Sequence, residues 1–79
     1  MKVIAEEQWS YVLFEDREVG LITVLLGGVV NLDVTVQLTP SELSMARSDA
    51  KFAGELAASI RSNMENFRER EVRPPVWPK

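Results

Sequence analysis

A chain of 79 residues, 46% apolar and 27% charged with a formal net charge of −3, has room for one small hydrophobic core and no second one. It contains neither cysteine nor histidine, which excludes disulfide staples, thiolate or imidazole metal sites, and the side chain most used for proton transfer near neutral pH. Most catalytic templates fail on that composition, so the chain is read as non-enzymatic and free of cofactors.

Residues 1–7 reach Glu6 and Glu7 before an apolar run of signal-peptide length accumulates. The longest apolar stretch, 19–30, is interrupted by Thr23 and three glycines and falls short of the roughly 20 residues a spanning helix needs. A cytoplasmic location without membrane insertion is the expectation. Residues 1–60 carry nine acids against four bases, and residues 61–79 carry five bases against three acids. The bases of 68–71 alternate with acids, as on a solvated helix end, so no nucleic-acid partner is expected.

In chain order, residues 9–14, 19–26 and 29–38 read as strands, and residues 3–5 as a fourth strand at the sheet edge. The polar segment 15–18 joins the first two. Gly27-Gly28 suits the positive φ angles of a two-residue hairpin turn and joins the second to the third. Thr39-Pro40-Ser41-Glu42 then reads as an N-cap, a first-turn proline and a capping box. From Leu43 to Phe67, apolar residues recur at steps of three and four, including Leu43, Ala46, Ala53, Leu56, Ile60, Met64 and Phe67. One straight helix of that length would reach about 45 Å and overhang the strands. Ser48-Asp49 offers a second N-cap, so the reading is a helix over 40–47, a bend, and a longer helix from 49 to somewhere within 63–70. The expected fold is α+β: an antiparallel meander of three or four strands followed by a helical segment packed on one face. Residues 1–71 form the domain and residues 72–79 an extended, proline-rich tail.

Register follows from the turns. A Gly27-Gly28 turn sets Leu26 opposite Val29, and a turn centred on Asp16-Arg17 sets the first hairpin. Val12, Phe14, Val19, Leu21, Leu25, Val30, Leu32, Val34, Val36 and Leu38 then share the face expected beneath the helices. The other face collects Trp9, Tyr11, Leu13, Ile22, Val24, Leu26 and Val29, beside Asn31, Asp33, Thr35 and Gln37. So many large apolar groups exceed the patch a monomer usually exposes. Three covers are open: a second copy of the chain, the chain's own Val76-Trp77 tail, or another partner. A homodimer joined through Trp9, Tyr11, Leu13, Ile22, Val24, Leu26 and Val29 is the leading expectation. The second is a small acidic inhibitor or immunity-type protein that engages a basic protein target. The third is a ligand site along Tyr11, Asn31, Asp33 and Thr35, with Trp9 as its aromatic wall. Residues 75–78 also match PxxP, a pattern that docks in aromatic grooves.

Overall fold

The computed structural model of the chain describes residues 1–26, 32–49 and 51–78. The elements are β1 (Lys2–Glu7), β2 (Tyr11–Asp16), β3 (Val19–Leu25), β4 (Asp33–Gln37), α1 (Pro40–Ser48), α2 (Phe52–Ser62), a 3₁₀ helix (Met64–Arg70) and β5 (Glu71–Val72). All strands belong to one antiparallel sheet in the order β1-β2-β3-β4-β5. The fold is α+β, with the helices following the meander and one strand more than expected: the chain returns after the helices to pair Glu71 and Val72 with β4. No helix among the described residues is long and apolar enough to cross a membrane.

Asp16 pairs with Val19, so the first expected turn moves one residue on to Arg17-Glu18. Both have positive φ, 53° and 68°, the mirror-image turn whose twist matches that of the flanking strands. The pairing moves by two residues, an even number, and β2 and β3 keep the side-chain parity expected of them: Leu13 faces Ile22, and Phe14 faces Leu21.

The second hairpin departs further. Ile22 pairs with Val36 and Leu25 with Asp33, and the Leu26 amide donates to the Leu32 carbonyl at 2.8 Å. The pairing of Leu26 with Val29 is therefore absent; Val29 and the Gly27-Gly28 turn themselves lie outside the described residues. The register slips by three, an odd number, which turns every β4 side chain to the opposite face. The consequence is a change in which side chains are buried together. In this register Val34 and Val36 join Leu13, Ile22 and Val24 on one apolar face, whereas Asp33, Thr35 and Gln37 move to the other.

The expected interface is consequently the interior. Leu13, Ile22 and Val24 have no solvent exposure and pack with Val36, Leu38, Ala46, Ala53, Leu56, Ala57, Ile60 and Phe67 from β4, the link after it and the helices. Tyr11 and Leu26 are half-buried against the same cluster. Leu13, Ile22 and Val24 are therefore not available to a second copy. Of the residues expected beneath the helices, Val12, Phe14 and Leu21 are buried on the other side of the sheet, packed by Val72 and Val76. Val19 and Leu32 are exposed.

The first helix follows its local signals, whereas the second starts three residues beyond the expected Ser48-Asp49 cap. Thr39 accepts from the Glu42 amide at 3.1 Å and its own amide donates to Glu42 at 2.8 Å, completing the capping box. The chain bends at Asp49, whose carboxylate accepts from the Lys51 amide at 2.9 Å; it shapes the turn, while α2 starts at Phe52 without a side-chain cap. At Gly20 a Cβ would lie 2.9 Å from Leu43 Cδ1 and 3.3 Å from Leu38 Cβ, so glycine lets α1 approach β3. Arg70 fastens the 3₁₀ helix. It stands 5.2 Å over the Phe67 ring, donates to the Gln37 carbonyl at 3.2 Å and pairs with Glu42. Burial raises the Glu42 pKa, but Arg70 and the Thr39 backbone outweigh it, so this carboxyl titrates below its ordinary value.

Two variants test the assignment. Ile22→Asp places an unpaired charge in the core and should cost about 3–5 kcal/mol, most of a small domain's stability, with loss of the folded circular dichroism spectrum. A folded variant with only its association changed would return Ile22 to the surface. Conversely, Arg17→Asn with Glu18→Gly should raise the thermal midpoint by a few degrees, since both replacements suit left-handed backbone.

Candidate functional site: an aromatic groove at one end of the sheet

The turn between β1 and β2 closes with the Ser10 amide donating to the Glu7 carbonyl at 3.0 Å. Within it Trp9 adopts φ 66° and is 83% exposed. A bulky residue in left-handed backbone must be held there by its surroundings. Arg61, in the last turn of α2, supplies the hold: its guanidinium donates to the Leu25 carbonyl at 3.0 Å and to the Ser10 carbonyl and hydroxyl at 2.8 Å each. The Leu25 amide in turn donates to the Ser10 carbonyl at 2.9 Å. Turn, strand end and helix end form one clamped unit that presents Trp9 to solvent.

The second wall comes from the C-terminal segment. After β5 the chain passes through a cis Arg73–Pro74 bond and lies over the sheet face opposite the helices. Val76 is fixed there by a closed hydrogen-bond ring. Its amide donates to Thr35 Oγ1 at 2.8 Å, and its carbonyl accepts from Thr23 Oγ1 at 2.5 Å. The two hydroxyls are 2.7 Å apart. Because Thr23 spends its proton on Val76, Thr35 donates to Thr23, and every donor in the ring has one acceptor. Both threonines are fully buried, an arrangement that satisfies polar groups inside an apolar layer. One residue on, the Trp77 indole N–H donates to Asp33 at 2.6 Å.

Trp9, Trp77 and Pro78 thus share a groove of about 440 Å³ with Glu6, Glu7 and Gln8 along its rim. No lysine or arginine is among its described lining residues.

The expected ligand row does not exist. Tyr11 lies across from Val24 and Val34 on the helix-covered face, whereas Asp33 and Thr35 point to the other face. Parity separates them, and Asn31 lies outside the described residues. Asp33 and Thr35 act instead on the chain's own tail. Of the expected interface residues among those described, only Trp9 is exposed. Sequence reading missed the roles of Thr23 and Arg61; threonines facing one another across buried strands become visible as a pair only once the register is known. Comparison with protein-family models, curated proteins and solved structures finds no match to this chain.

Thr35→Val should open the ring while keeping side-chain volume, leaving the Val76 amide without its acceptor at about 1–3 kcal/mol. The expected readouts are faster proteolysis within 73–78 and a lower thermal midpoint, with Thr35→Ser close to the parent. Equal protection in Thr35→Val would remove the ring's role.

Proposed function

We propose that the chain is a binding module rather than an enzyme, and that the Trp9–Trp77 groove takes a basic segment of a protein partner. The observation that carries this reading is Trp9, 83% exposed on a clamped, left-handed turn. Tryptophan dominates binding energy where a partner removes it from water, and a rigid anchor loses little conformational freedom on binding. Glu6 and Glu7 on the rim, with nine acids against four bases over residues 1–60, favour lysine or arginine in the occupant. An ammonium or guanidinium over an indole face adds about 0.5–2 kcal/mol. The same field repels polyanions, in keeping with a partner that is not nucleic acid. A small acidic inhibitor seated on a basic protein target is the form of this reading that fits an 8.9 kDa chain.

Titration with matched lysine/arginine-rich, neutral and acidic peptides, followed by the Trp9 and Trp77 indole resonances, tests the proposal. The basic set should shift both indoles, bind more weakly as salt rises, and lose about tenfold in affinity in Trp9→Ala. Equal binding of the acidic set, or shifts confined to the helices, would contradict it.

A further inference from the structure

Residues 60–71 carry a pattern at odds with their conformation. Ile60, Met64 and Phe67 keep α-helical spacing, and 64–71 contains neither glycine nor proline, so the apolar stripe of α2 runs on through this stretch. Yet α2 stops at Ser62, Asn63 takes φ −135° and ψ 51°, and the chain continues as a seven-residue 3₁₀ helix. Runs of that helix beyond three or four residues are uncommon and mark hinges or strain. Beyond Asn63 the chain is attached to the body by the β4–β5 pairing, by the Val76 backbone and by side chains. Phe67 enters the core, Arg70 reaches Glu42 and Gln37, Val72 and Val76 cover Val12, Phe14 and Leu21, and Trp77 reaches Asp33.

We propose that residues 64–78 are an exchangeable element, swapped between two copies of this chain with Asn63 as the hinge. In the swapped form α2 runs on through the hinge at Asn63, and each body receives the other copy's segment in the place its own occupied. A second copy is the occupant because an identical segment meets an identical site: every contact named above re-forms and only the hinge changes. The hinge gains α-helical hydrogen bonds where it now has a break. A vacated body also drives the exchange, since losing the segment uncovers the Val12, Phe14 and Leu21 face and the Thr23 and Thr35 hydroxyls. Each Trp9 groove would then be built from two chains. This inference stands independently of what the groove binds.

The parent chain has no cysteine, so Val36→Cys with Glu71→Cys, partners across β4 and β5, installs the sole thiol pair. Oxidation after incubation at high protein concentration should give a disulfide-linked dimer on a denaturing gel, its share rising with concentration. Asn63→Ala should raise that share several-fold. Adding Glu65→Pro should lower it again: Glu65 precedes the first 3₁₀ bond, from the Asn66 amide to the Asn63 carbonyl at 2.9 Å, so proline fits there but breaks a continuous α-helix. Light scattering on the cysteine-free Asn63→Ala chain, refolded at high concentration, should show the dimer mass without any thiol. A monomer mass for that chain overturns the proposal, and so does a dimer whose cysteines link only within each chain.

Discussion

The register between β3 and β4 is the constraint from which the other features follow. Setting Ile22 opposite Val36 rather than Asp33 gathers the valines of β4 onto the face that holds Leu13 and Val24. That face is then apolar across its central strands, and α1 and α2 close over it. A hairpin turned at Gly27-Gly28 would instead group those valines with Phe14 and Leu21 and set Asp33 and Thr35 beside Leu13, Ile22 and Val24. Parity acts on every side chain in the strand, so the register decides which apolar residues the helices cover.

The same choice creates the need for the C-terminal strap. Val12, Phe14 and Leu21 remain on the far face, together with the hydroxyls of Thr23 and Thr35. Apolar cover alone would leave those hydroxyls unsatisfied, and Val76 answers both demands by packing its side chain and closing the ring with its amide. Both sides of the central strands are thereby sealed, as the continuous burial of Val12, Leu13 and Phe14 shows. The molecule uses its last residues as part of its core, and their far end, Trp77 and Pro78, becomes a wall of the surface groove. Folding and recognition therefore meet in one segment.

Much of this is legible in the chain. The capping box at Thr39 and the bend near Asp49 appear where local rules place them, and the strands form the expected antiparallel meander with shifted bounds. The excess of apolar sheet surface is also readable, and so is the tail as one of its covers. Which face the helices take is not, because parity depends on a turn whose length Gly27-Gly28 misstates. The 3₁₀ helix is likewise hidden: Met64 and Phe67 continue the α-helical spacing, and the return of β5 to the edge of β4 carries no local signal. Trp9 reads from sequence as one member of a sheet patch. Its display on a clamped turn depends on Arg61, a residue 52 positions away.

Cross-strand nuclear Overhauser contacts between the backbones of β3 and β4 measure the register directly. The account predicts contacts of Ile22 with Val36 and of Thr23 with Thr35. Contacts of Ile22 with Asp33 and of Thr23 with Leu32 would instead place the valines of β4 on the opposite face and contradict the core, the strap and the groove together.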